Sequence, residues 1–385
     1  MSTDKMTLWG TPHSFYTGKV RSYLIKKGLP FRERTLADPH FHGTVVPTIR
    51  HMVVPVLGLP DGTLLQDSAE IIETLEARHP ENPMIPATPV QRCVAHLLDA
   101  FGTEGLLAPG MHYRWSYRAE QEAFLQAEFG RAVYRGASRE ERNAAGAKLM
   151  DYFNDFLPAL GVTAEAIPAV EASYEALLEV LDAHFQCHPY LLGGRPSIAD
   201  FGFMAPMFAH LGRDPVPARL MKMKAQNVFR WTERMNLANI ADGEFADCTE
   251  SWPADDVIPA TLEPVLALIF ADWGPQWLAD AALYKQWLDG QPALPAGTPV
   301  EVRNERKVHQ TLGMVTAPMH GVAMTRASAP NGLFLLDKAL RAQAALRGQD
   351  AERWQALLAR TGGQAAMAIA LARGMKREDY ALALM

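Results

Sequence analysis

The chain has 385 residues, 48% of them hydrophobic and 21% charged, and a net charge of -6. That is globular composition at a length suited to two or three domains, and the scattered basic residues exclude a nucleic-acid footprint. No apolar run is long enough to span a bilayer, the first ten residues lack the apolar core of a signal peptide, and three widely spaced cysteines do not make a disulfide framework. A reduced, cytoplasmic setting is expected.

The first eighty residues mix strands and helices. "TLWG" reads as a strand and is followed by a helix over Phe15 to Lys27, with Val20, Tyr23 and Leu24 on one face. Gly28 suits the left-handed position that ends such a helix, and Pro30 lies just beyond it. "FRERT" is a short strand, and "MVVPVLGL" a β-branched strand interrupted by Pro55, which removes a ladder donor. "PDG" turns the chain into "TLLQ", and "DSAEIIETLEARHP" opens a second helix with Asp67 or Ser68 as cap and Glu70 placed for a capping box.

Four prolines in "HPENPMIPATPV" mark a linker, after which the pattern turns helical. Val170, Tyr174, Leu177, Leu178, Leu181 and Phe185 form one apolar stripe, and "SIAD" is a helix start in which Ser197 caps and Asp200 bonds back. The tryptophan-rich segment beyond residue 256 and residues 334 to 385 read as further helices, separated by the break "QPALPAGTP".

Taken in order, "SFYTGKVRSYLIKKGLPF", "VVPVL", "LLQDSAEII" and "PSIADF" resemble the glutathione transferase superfamily over roughly residues 7 to 235. The resemblance implies an α+β protein. A thioredoxin-like glutathione-binding domain, a mixed four-stranded sheet with helices, would cover residues 1–84, and an all-helical domain with an electrophile pocket residues 90–255. A mainly helical extension of unknown role would cover residues 256–385. It also implies glutathione as co-substrate, a hydrophobic small molecule as second substrate and a homodimer, while charge and hydropathy lead to no expectation of a nucleic-acid or membrane partner.

The same resemblance distributes roles over residues. A helix N-terminus attracts the γ-glutamyl carboxylate, with Ser68 adding a hydroxyl, and Asp67 pairs with the ammonium, a task Gln66 or a partner subunit can share. As plain structure, the same Asp and Ser are good helix caps. A cis bond before Pro55 would turn the backbone of Val54 toward the cysteinyl unit. Many relatives place Lys or Gln two positions before that proline; here Val53 stands there, and Arg50, His51 and, in the preceding loop, His40 and His42 are the candidates to substitute, each equally suited to a plain surface role.

Aligned on "KVR", Ser14 falls where zeta- and theta-like enzymes carry a catalytic Ser. A hydroxyl donating to sulfur contributes about 1.5–3 kcal/mol, which lowers a thiol near ~8.5 by roughly one to two pKa units. Tyr16 competes for that role and His13 is third, as a base or a loop support; Ser14 also suits a plain helix cap. Tyr113, Trp115, Tyr117, Met204, Met207 and Phe208 are candidates for the electrophile pocket. "HFQCH" has metal-like spacing with too few ligands, and no metal is expected. The alternative is a non-catalytic binding or assembly protein that keeps the fold and has lost the reaction.

Overall fold

The computed structural model describes residues 5–136, 138–291, 293–300 and 311–385. Strand β1 (Met6–Trp9) sends Met6 and Leu8 into the main core and Trp9 to the opposite face of the sheet, as a period of two requires. Helix α1 (Phe15–Lys27) begins at Ser14, whose Oγ accepts the Thr17 N–H at 3.4 Å. It ends at Gly28 with φ 77°, the left-handed stop expected from sequence. Strand β2 (Phe31–Arg34) runs parallel to β1, and a π-helical turn over Phe41–Val45 leads into the short α2 (Val46–Ile49).

The Val54–Pro55 bond is cis, and β3 (Val56–Gly58) starts only after it. The longer strand read across Pro55 does not form, because proline offers no N–H to a ladder. Strand β4 (Leu64–Gln66) pairs antiparallel with β3, α3 (Ser68–Arg78) follows, and the sheet order is β2-β1-β3-β4.

Helices then dominate: α4 (Pro89–Ala100), a π-helical turn over Phe101–Gly105, α5 (Leu107–Trp115), α6 (Arg118–Val133) and α7 (Arg139–Asn154). They are followed by α8 (Ile167–Cys187), α9 (Ile198–Ala209), α10 (Pro215–Lys224) and α11 (Gln226–Arg234). All six residues of the α8 stripe are buried. Both α1 and α4 pack on α9. The approach is close enough that a Cβ on Gly102 would lie 2.5 Å from the Phe203 backbone nitrogen, which only glycine avoids.

The C-terminal part holds α12 (Glu263–Asp272), α13 (Gly274–Asp289), a hairpin of β5 (Met314–Met319) and β6 (Val322–Ala327), and α14 (Pro330–Ala344). Helices α15 (Gly348–Thr361) and α16 (Gln364–Met367) precede a second hairpin, β7 (Met375–Glu378) and β8 (Ala381–Leu384). Residues 334 to 385 are therefore helical only as far as Met367. The turn between β7 and β8 holds Asp379 and Tyr380 at φ 47° and 61°, a left-handed pair that a helix cannot carry. Trp277, Leu336 and Trp354 share one hydrophobic cluster with α4, α8 and α9, and α14 lies along α4. The protein is α+β, with a four-stranded mixed sheet, an all-helical region and a mainly helical extension. Among the described residues, no helix is long and apolar enough to cross a membrane.

Candidate active site

Three loops leave the sheet at one end. Trp9 is paired with Val56, and Val56 with Gln66, so the corner after β1, the Val54–Pro55 bond before β3 and Asp67–Ser68 after β4 start side by side. Half-buried Ser14 uses a lone pair as cap of α1, which leaves its O–H able to donate elsewhere.

Tyr16 donates its hydroxyl to Glu104 Oε1 at 3.0 Å. Burial, with the Glu104 charge and hydrogen bond added, pushes the phenol well above its ordinary range. Glu104 projects from the π-helical turn after α4, and burial raises its carboxyl to about 7, against the hydrogen bonds from Asn331 and Tyr16. Below it, Lys19 is buried and pairs with Asp99 at 2.5 Å and with Thr103 Oγ1 at 2.9 Å.

Asp67 has φ 83° and caps α3: its Oδ1 accepts the N–H of Ala69 at 2.8 Å and of Glu70 at 3.4 Å. The Glu70 side chain does not complete the expected box, and burial followed by the Asp67 charge pushes its carboxyl up. Oδ2 of Asp67 accepts Arg377 Nη2 at 2.8 Å. Burial opposes ionisation of Asp67, but Arg377 and the Ala69 N–H outweigh it and hold the carboxyl below its usual value. Ser68 is buried in the first turn of α3, and Gln66 is half-buried at the end of β4. Among the described residues, neither the N–H nor the C=O of Val54 has a backbone partner. His51 is half-buried beside Arg50, whose φ is 62°.

His13 belongs to a different environment. Its ring lies 4.4 Å from that of Phe129, and its carbonyl accepts Arg114 Nη1 at 3.0 Å. Burial and the Arg114 charge hold the imidazole well below its ordinary value. Arg114 is itself clamped by both oxygens of Asp214.

Sequence reasoning missed Asn331 and Arg377. Arg377 Nη2 also donates to Asn331 Oδ1 at 2.7 Å, and Asn331 Nδ2 donates to Glu104 Oε1 at 2.7 Å. A continuous polar chain thus runs from Tyr16 through Glu104, Asn331 and Arg377 to Asp67. In "MKRED" an arginine of an exposed-looking strand carries no signal of this.

Of the pocket candidates, Met204 and Met207 are fully buried in the core, while Tyr113 and Tyr117 stack at 5.8 Å. Next to Tyr174, whose ring packs on that of Tyr113, a narrow cleft with only about 20 Å³ of free space is lined by Phe101, Leu106, Tyr174, Leu177, Trp273 and Met319. His184 of "HFQCH" is buried, with its ring nitrogens at Thr261 Oγ1 and the Tyr190 carbonyl.

Residues 8–83 match the family model of the glutathione S-transferase N-terminal domain, and residues 164–234 that of the C-terminal domain. This part of the chain belongs to the glutathione transferase superfamily. Solved glutathione transferases resemble it at low identity. The tau-class enzyme of mango (Mangifera indica) is 17% identical over 69% of this chain and 97% of its own, with a TM-score of 0.38. A Methylobacterium radiotolerans glutathione S-transferase in complex with glutathione sulfonate is 22% identical over 66% and 100%, with a TM-score of 0.33. One from Methylobacillus flagellatus with glutathione bound is 20% identical over 63% and 98%, with a TM-score of 0.34. No curated protein matches the chain. The glutathione transferase assignment rests on the two domain matches, and neither reaches beyond residue 234.

Proposed function

We propose that this glutathione transferase relative binds glutathione, stabilises its thiolate and directs it at a hydrophobic electrophile. The observation that carries the reading is the register Trp9–Val56–Gln66, which gathers a hydroxyl, an unpaired backbone segment and a capped helix N-terminus at one end of the sheet. In this reading the backbone of Val54 next to Pro55 holds the cysteinyl unit, and Asp67 and Ser68 hold the γ-glutamyl end. Gln66 and His51 are within the same reading as auxiliary contacts.

Ser14 donates to the sulfur. The Tyr16 hydroxyl, whose hydrogen is already given to Glu104, is the weaker candidate, and His13 is weaker still because its partners are Phe129 and Arg114. A charge-assisted bond of about 1.5–3 kcal/mol lowers the thiol by roughly one to two units, and the N-terminal dipole of α1 acts in the same direction. The electrophile enters from the helical side, where part-exposed Tyr117 stacks on buried Tyr113 beside the narrow apolar cleft at Tyr174. Association as a homodimer and a cytoplasmic location belong to the same proposal.

The test is a titration of the pure protein with glutathione while thiolate ultraviolet absorbance is followed against pH. Saturable binding with a bound thiol that ionises at lower pH than the free one is expected; a bound thiol that titrates like free glutathione would refute the reading. One observation favours a second reading, a binding or assembly protein without the reaction: Asp67 already has a cationic partner in Arg377. Conjugation of a generic electrophile that disappears in Ser14→Ala would dispose of that alternative.

A further inference from the structure

The β7–β8 hairpin lies across the loops that the glutathione reading assigns to the tripeptide. At one side Arg377 reaches Asp67, and its guanidinium lies 5.6 Å from the centroid of the Phe334 ring. At the other side, Asp379 in the turn pairs with Arg50 at 2.8 Å. Between them Tyr380 packs on the apolar cluster of Trp9, Phe41, Val45, Ile49 and Val56, against which Val53 and Val54 also pack. The hairpin therefore touches the segments on both sides of Pro55 and the start of α3.

Both carboxylate oxygens of Asp67 are engaged, one by backbone N–H groups and one by Arg377. A γ-glutamyl ammonium cannot take the inner position on Oδ2 while the guanidinium holds it. The cation supplied by the chain stands where the cation of the ligand would stand.

The hairpin is fastened unevenly. Its base is built into the core: Met375, Leu382 and Leu384 are buried, the Val300 N–H donates to the Leu382 carbonyl at 2.8 Å, and the Gly297 N–H donates to that of Leu384 at 2.8 Å. Its tip carries the Asp379–Arg50 pair, whose side chains are 61% and 65% exposed, and Tyr380 on the apolar cluster, while the Arg377–Asp67 pair behind it is 9% and 13% exposed. The exposed pair adds little, and the largely buried Arg377–Asp67 pair is the contact that opening must break, a cost offset when a ligand ammonium takes over Asp67; the buried base has no such replacement.

We propose that the β7–β8 hairpin is a gate on the glutathione groove, with Arg377 occupying the ammonium position at Asp67 in the closed form and the tip lifting to admit the tripeptide. The gate rests on the glutathione reading given above. A ligand that binds only the open form has an apparent affinity reduced by the fraction open; an open fraction of about 10% or less weakens binding at least about tenfold.

The experiment titrates the full-length protein, Arg377→Ala and Asp379→Ala with S-methylglutathione by calorimetry. Hydrogen exchange over residues 375–384 is measured with and without that ligand. A gate predicts at least about tenfold tighter binding in Arg377→Ala, a smaller gain in Asp379→Ala, and faster exchange at the tip of the wild-type hairpin when ligand is present. Equal or weaker binding in Arg377→Ala, or ligand binding with unchanged exchange at the tip, overturns the gate and leaves the glutathione reading standing. No binding by any of the three proteins refutes the glutathione reading, and the gate falls with it. If Arg377→Ala does not fold, Arg377→Gln, which keeps a polar stem and loses the cation, decides: tighter binding supports the gate and unchanged binding overturns it.

Discussion

Tyr16 and Asn331 give their hydrogens to the same carboxylate oxygen, Oε1 of Glu104, at 3.0 and 2.7 Å. Burial raises this carboxyl to about 7 from an ordinary 4.5, with Asp67 adding to the rise and Lys19 opposing it. A folded-state value above the unfolded one means that the folded protein holds the proton more tightly. Stability from this group is therefore full below pH 4.5, declines as pH rises toward about 7, and is level above. The decline amounts to about 3 kcal/mol, and Glu104→Gln removes it. Urea unfolding of both proteins across that pH interval checks this; parallel curves would contradict it.

The buried Lys19–Asp99 pair ties α1 to α4. Asp99→Ala leaves an ammonium buried with Thr103 alone and costs about 3–5 kcal/mol. The double variant Lys19→Met/Asp99→Leu, which removes both charges, is expected to lose less than Asp99→Ala does. Denaturant midpoints at constant m-value measure the difference.

Asp200 is fully buried and accepts from the Leu191 N–H at 2.9 Å, the Ser197 N–H at 2.9 Å and the Trp231 indole at 3.1 Å. Asp200→Ala strands three buried donors, each worth about 1–3 kcal/mol, so a loss of at least about 3 kcal/mol is expected. Thermal unfolding followed by indole fluorescence reads it out, because Trp231 reports its own partner.

Under the glutathione reading, Ser14→Ala raises the pKa of bound thiol by roughly one to two units, the size of one charge-assisted bond. Tyr16→Phe moves it less, since its hydroxyl hydrogen is directed at Glu104. Thiolate absorbance against pH separates the two; a larger shift in Tyr16→Phe would reverse their roles.

Local chemistry made much of this molecule legible in the sequence. Ser14 and Gly28 bound α1 because a cap and a left-handed stop are written within a few residues. The α8 stripe and the Asp200 return bond are equally local. Pro55 marked the place where the strand is broken, though not that pairing begins only at Val56. The candidate site was half readable. Its loops follow from strand order, whereas Glu104, Asn331 and Arg377 arrive from a π-helical turn and an extension whose short strands lack a long alternating pattern. Composition rich in Ala and Leu favoured helix over residues 375–384, and only the two-residue turn at Asp379 and Tyr380 decides otherwise.

The contact between Asp67 and Arg377 joins residues 310 positions apart. Sheet pairings such as Met6 with Phe31 and Val56 with Gln66 close far shorter loops. Contacts of long separation form once the elements that carry them have docked. On that order, the three loops at the end of the sheet come together during refolding before the hairpin reaches them, so the cover is the last part of this region to be put in place.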